Sequence, residues 1–237
     1  MHGIGTLINA GAIILGGILG QAGSRFLKAD IRDALIKVNG MAVIVVGLSG
    51  TLKEMFSVNN GSLEVNGTMM MIASLAIGTV IGEIINIDGA MERFGIWLKK
   101  KTGNDSDDAF VNAFVSASLT VCIGAMAVVG AIQDGMQGDY TTLMVKSVLD
   151  FLIIMVMTSS LGRGCLFAFV PVAVFQGTIT ILASFIAPVM TDQALSNLSL
   201  TGNILVACVG INLIWPKTFR IGNMLPAILI AVIWAYF

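Results

Sequence analysis

Lys and Arg keep to alternate loops between long charge-poor stretches, and this pattern constrains the chain more than any other feature. Arg25, Lys28 and Arg32 follow the first stretch, and Arg93, Lys99, Lys100 and Lys101 follow the third. Arg163, then Lys217 and Arg220, stand in later connections of the same parity. The opposite loops hold Lys53 alone, beside Glu54 and Glu64, and otherwise acids such as Asp134, Asp139 and Asp192. Cytoplasmic loops of polytopic membrane proteins gather Lys and Arg. The pattern therefore predicts basic loops inside and both termini outside.

Composition agrees. The 237 residues are 56% hydrophobic and 11% charged, whereas a soluble domain has about 25% charged residues. Too little polar surface exists to solvate a globule, so lipid must cover much of the outside. A net charge of −1 leaves no basic stripe for phosphates, which excludes nucleic acid as a partner. Cys122, Cys165 and Cys208 lie in apolar stretches without close spacing, as buried free thiols do. His2 is the lone histidine, so histidine zinc sites and Ser-His triads are not expected. No GxSxG or Walker A pattern occurs, and the chain is not expected to be an enzyme.

A helical span takes about 20 mainly apolar residues. That ruler predicts an all-α bundle of about eight spans, at 4–23, 34–52, 68–88, 109–132, 142–162, 164–189, 198–216 and 221–237. Pro171 and Pro188 lie inside the sixth and predict a broken helix there. Residues 53–67 read as a polar turn-rich loop. Residues 89–108 read as an interfacial helix and a connector, with Phe94, Ile96, Trp97 and Leu98 in the headgroup plane and three lysines toward anionic lipid.

That link divides the chain into 1–100 and 109–237, and the halves carry a faint internal echo. KVNGMAVIVVGLSG at 37–50 returns as KSVLDFLIIMVMTS at 146–159, an offset of 109 (146 − 37). Gly16 and Gly124 match at an offset of 108 (124 − 16). Three spans precede the second copy, so it would enter the membrane inverted, a recurring plan of secondary transporters. The third span has no clean counterpart. Gly16 and Gly20, and Gly78 and Gly82, stand four apart and make smooth stripes on which helix backbones can close. Such faces also make a homodimer plausible.

Polar groups inside spans are costly and mark cavities or partners. Lys146 and Asp150 share one helix face four residues apart. They read either as an ion-coupling site or as an internal salt bridge, with Lys146 close enough to the outer end to snorkel. Glu83, followed by Asn86 and Asp88, is a reserve coupling residue near the inner boundary. Gln176, Thr178 and Thr180 lie between the two prolines, where a broken helix could bind sodium or a polar solute. Asn212 and Asn223 flank the Trp215-Pro216 break, to cap helix ends or to complete the same cavity. Asp134 and Asp139 bracket QDGMQGDY, which reads as a solvated turn.

Four segments, CIGAMAVVGAIQDGM at 122–136, VKSVLDFLI at 145–153, LFAFVPVAVFQGTIT at 166–180 and INLIWPKTFRIGNMLPA at 211–227, carry a resemblance. In this order they resemble the family of bacterial inner-membrane proteins of unknown function typified by YqgA and YdfK. The resemblance implies a multi-pass plasma-membrane protein, generally guessed to be a transporter, and assigns neither substrate nor site residues. The expected function is secondary transport of a small polar or anionic solute driven by sodium or protons, with no cofactor beyond a sodium ion. An ion channel, or a scaffold that binds partners, uses the same helices and stays open at this stage.

Overall fold

The computed structural model describes residues 2–24, 28–59, 61–104, 107, 109–123 and 125–237; Arg25, Asn60 and Gly124 lie outside them. Among the described residues the regular structure is helical apart from one hairpin. Its helices are α1 (Ile4–Ser24), α2 (Ala29–Met55), α3 (Thr68–Ile85), α4 (Ile87–Lys101), α5 (Phe110–Cys122), α6 (Ala125–Gln137), α7 (Thr141–Leu161), α8 (Phe169–Ile181), α9 (Ala183–Ile186), α10 (Asp192–Ile214), α11 (Ile221–Met224) and α12 (Pro226–Trp234). Among the described residues, six helices are long and apolar enough to span a bilayer, and α5 with α6 makes a seventh candidate bent by 63°. The expected eighth span falls short. Its apolar helix Ile221–Trp234 is only about 21 Å long at 1.5 Å per residue, against about 30 Å of hydrocarbon. Leu7, Leu15, Val45, Ile72, Ile84 and Ile181 are among many large apolar side chains left exposed, as a lipid-facing surface requires.

Two compact units emerge, each drawn from both halves of the chain. The first comprises Met1–Asn39, Ala90–Cys122 and Met126–Ala187. In it α1 runs along α7, and a methyl group at Gly16 or Gly20 would strike the backbone of Phe151 or Met155. Gly17 meets Leu166 of the 3-10 turn Arg163–Ala168, and Gly135 of α6 meets the Thr180 carbonyl of α8. Helices in lipid gain no hydrophobic force from one another, so backbone-to-backbone contact of this kind carries the packing. The same unit holds the interfacial helix. Leu98 is buried against Phe110 and Phe114 of α5, while Phe94, Ile96 and Trp97 stay exposed. Leu98 thus serves docking rather than the headgroup plane.

The second unit comprises Gly40–Gly89, Ile123–Ala125 and Pro188–Phe237. Gly78 and Gly82 of α3 close on Ala227 and Asn223. Gly40 and Gly47 of α2 close on α10 at Gly210 and Asn203, and Asn197 of α10 donates to the Ala231 carbonyl of α12 at 3.0 Å. All four stripe glycines read from the sequence are therefore covered by helices of the same chain. The 53–67 loop holds an unforeseen hairpin, β1 (Phe56–Asn59) and β2 (Ser62–Val65), paired antiparallel from Phe56↔Val65 to Asn59↔Ser62. Gly61, just before β2, has φ +80, the left-handed backbone that tight hairpin turns favour.

The helix between the two prolines is interrupted at Leu182, where α8 ends and the short α9 begins, but neither proline makes the break. Pro171 stands in the first turn of α8, where a missing N–H leaves no bond unmade. Pro188 lies beyond α9, in the 3-10 turn Ala187–Val189. A further interruption, not expected, falls in the fourth span between α5 and α6, where no proline marks it.

Candidate functional site

Helix α5 ends at Cys122 and its successor leaves at 63°. The last carbonyls of any helix lack amide partners, and in a dry interior something must supply a donor. Here Lys146 does so. Its ammonium reaches from α7 to donate to the Val121 carbonyl at 2.8 Å. The same Nζ donates to both oxygens of Asp150, one turn along, at 2.9 Å each. Neither side chain reaches solvent to any extent, at 10% and 3% exposure. Lys146 does not snorkel outward; the break holds it inside.

Two neutral amides complete the cluster. Asn9 of α1, fully buried, donates through Nδ2 to Asp150 Oδ2 at 3.0 Å and to Gln176 Oε1 of α8 at 3.3 Å. One turn away Thr6 and Thr180 bring their hydroxyls to 3.5 Å. Asn9 Oδ1 and Gln176 Nε2, one acceptor and one donor, are buried with no hydrogen-bond partner. An unpaired buried polar atom costs about 1–3 kcal/mol, and a small group able to donate and accept would relieve both. Asp150 with Lys146 stands where the sequence spacing placed it, and of the three polar residues grouped on the sixth span Gln176 and Thr180 are buried. Thr178 is exposed, since two residues rotate it to the far side of α8.

The other sequence candidates belong to the second unit. Glu83 pairs with Arg220 at 2.6 Å with both side chains half exposed, and Arg220 also donates to Asn86 Oδ1 at 3.0 Å. Asp88 accepts from the Gly222 amide at 3.1 Å, and its own amide donates to Asn223 Oδ1 at 2.8 Å. Asn223 Nδ2 is buried without a partner. Asn212 uses both ends of its amide on Phe219, donating to the carbonyl at 2.7 Å and accepting from the N–H at 2.9 Å. These contacts fasten loops at the ends of α3 and α10.

Asp134 overturns the expectation of a solvated turn. It is fully buried and accepts from the Gly3 and Gly5 amides at 3.1 and 2.9 Å, while His2 Nδ1 stands 3.1 Å from its carbonyl. A carboxylate at the amino end of α1 satisfies orphan amides and meets the positive end of the helix dipole. Asp139, by contrast, is exposed and accepts from the Thr141 amide at 2.9 Å. The Thr141 side chain, then its amide, hold the Asp139 carboxyl below the usual aspartate range.

Asn9 escaped the sequence reading. A signal for it existed: Gly5, Asn9, Gly16 and Gly20 follow one another at steps of four, seven and four, one seam of α1. A polar residue on an otherwise smooth seam must meet whatever the seam packs on. The Val121 carbonyl carries no such signal, because every residue has one.

Comparison with known proteins agrees with the resemblance over nearly the whole chain. The family model described as "Protein of unknown function (DUF554)" matches residues 4–236. The chain is similar to the uncharacterized protein YqgA of Escherichia coli (strain K12), 29% identical over 233 residues, covering 97% of this chain and 94% of that protein. It is also similar to the uncharacterized membrane protein YdfK of Bacillus subtilis (strain 168), 26% identical over 226 residues, covering 95% and 93%. No solved structure matches.

Proposed function

The chain, a helical membrane protein, belongs to the family of unknown function DUF554, and on that premise we propose that it is a secondary transporter. It moves a small polar or anionic solute across the bacterial plasma membrane, coupled to protons or sodium, with the basic loops inside and the amino terminus outside. One observation carries this reading: a buried Lys146–Asp150 pair stands at the α5–α6 break beside two uncommitted amide atoms. A buried ion pair adds little net stability, and apolar side chains of equal volume serve a fold as well or better. Ionisable groups inside membrane helices mark ion and substrate paths, and helix interruptions are where carriers bind their ions.

In this mechanism Asp150 is the coupling residue, and Gln176, Thr180 and Asn9 line the solute position. Thr178 plays no part, because it faces outward. Glu83, Asn212 and Asn223 secure the second unit.

The test is uptake by the purified protein in proteoliposomes, with an imposed proton or sodium gradient and a panel of labelled small carboxylates and amino acids. Asp150→Asn should abolish gradient-driven uptake while the protein still elutes as one species. Gln176→Leu should abolish it too. Full uptake by the Asp150 variant ends the assignment. Unitary currents in a planar bilayer would favour a channel, since carriers turn over too slowly to produce them.

A further inference from the structure

We propose that the pocket at the α5–α6 break is a monovalent-cation site whose occupant in this chain is the ammonium of Lys146. Among the described residues, every hydrogen-bond acceptor of the ammonium is an oxygen: the Val121 carbonyl at 2.8 Å and both Asp150 carboxylate oxygens at 2.9 Å. The carbonyl belongs to the final turn of α5, the negative end of that helix dipole. Helix ends of this kind, together with a carboxylate, are the ligands that membrane carriers present to sodium.

A second, independent observation points to a ligand. The Asn9 amide is pinned to Asp150 through Nδ2, and Oδ1 on the same planar group is buried with no donor to accept from. A simple salt bridge has no use for that oxygen. A compact cation released from an alkyl tether does, because it can draw in a fourth oxygen, Asn9 Oδ1, on the amide that already contacts Asp150. A hard cation prefers just such a shell of oxygen ligands. The lysine side chain thus holds, by covalent attachment, the position that a free ion would otherwise fill.

The consequence rests on the carrier reading. With its cation position occupied by its own lysine, the native chain takes up no sodium at this site, and protons are the coupling ion. Among the described residues, the titratable groups facing Lys146 are Asp150 of its own helix and the Cys122 thiol of α5. Helices α1 and α8 present only Asn9, Thr6, Gln176 and Thr180 to the cluster. Helix α6 carries Asp134 alone, engaged with the α1 amides.

The experiment is thermal unfolding of detergent-purified wild type, Lys146→Met and Lys146→Met/Asp150→Asn, in sodium chloride and in N-methyl-D-glucamine chloride at equal ionic strength. Wild type should melt at the same midpoint in both salts. Lys146→Met should gain several degrees in sodium, since an ion bound only to the native state stabilises it by mass action, and the double variant should lose that gain. Lys146→Met recovered as one species only in sodium supports the proposal equally. A Lys146→Met midpoint indifferent to sodium overturns it. So does a variant that folds in neither salt but is rescued by Asp150→Asn, for then the pair is a salt bridge and no ion can replace the lysine. Failure of the double variant too makes the lysine stem a packing element and overturns it as well. None of these readings requires transport, so a sodium-binding variant without uptake in any reconstitution would remove the carrier reading alone.

Discussion

The Lys146–Asp150 pair of the first unit and the Arg220–Glu83 pair of the second share their chemistry and their kind of location. Each joins a cation to a carboxylate beside an interruption between helices, α5–α6 in one case and α3–α4 in the other. Their surroundings differ. Lys146 and Asp150 keep 10% and 3% of their side-chain surface, whereas Arg220 and Glu83 keep 56% and 40%. Water or headgroups can replace either partner of the exposed pair, so its loss matters little and it serves as a fastener. Nothing in the first unit can replace a lost partner, so the buried pair ties a charge to a fixed address. What a cation and a carboxylate do for a membrane protein is decided by access, not by their separation.

The comparison can be broken by substitution. Lys146→Ala in sodium-free buffer should destabilise the purified protein by about 3–5 kcal/mol, the penalty for leaving a buried charge unpaired. Arg220→Ala should cost less than about 1 kcal/mol. Thermal midpoints of the two variants decide it, and equal losses would dissolve the distinction. Next in size comes the seam on which the buried pair depends. Gly20→Leu, driven against the Met155 backbone, should cost about 1–3 kcal/mol or more. Gly23→Leu, with nothing within 4 Å of its position, should leave the midpoint unmoved. A smaller effect separates the two faces of α8. Thr178→Val should change stability by less than about 0.5 kcal/mol and leave uptake intact; a transport defect in it would move the solute position to the outer face.

The smallest expected effect is acidic. The folded carboxyl of Asp139 lies below its ordinary value of 3.8, so its contribution is fully present above that value. It fades as pH falls through the folded value. Asp139→Asn should therefore melt slightly lower than wild type at neutral pH, and the gap should close in strong acid. A gap that widened on acidification would reverse the assignment.

How much of this was legible beforehand depends on which atoms carry each feature. Apolar run lengths and loop charges marked the spans, because hydrocarbon thickness acts on side chains that any reader can see. The spacing of Lys146 and Asp150 predicted their contact. The α5–α6 bend was missed because prolines advertise interruptions and none stands there, while Pro171 sits where a helix starts and tolerates it. That bend exposes the Val121 carbonyl, a main-chain atom with no sequence mark. Asp134 was misread because its partners are the amides of Gly3 and Gly5, more than a hundred residues away. Leu98 was given to the headgroups because only the fold shows Phe110 and Phe114 beside it.

The seam between α1 and α7 has a mechanical consequence. At Gly16 and Gly20 one helix rests on the main chain of the other at Phe151 and Met155, with no side-chain layer between to shear or reshuffle. Packed interiors shift between discrete arrangements and do not deform continuously. The two helices consequently behave as one stiff lever. Any opening of the polar cluster has to come from α5, α6 or α8 swinging away from that lever, and probes fixed on α1 and α7 should keep a constant separation.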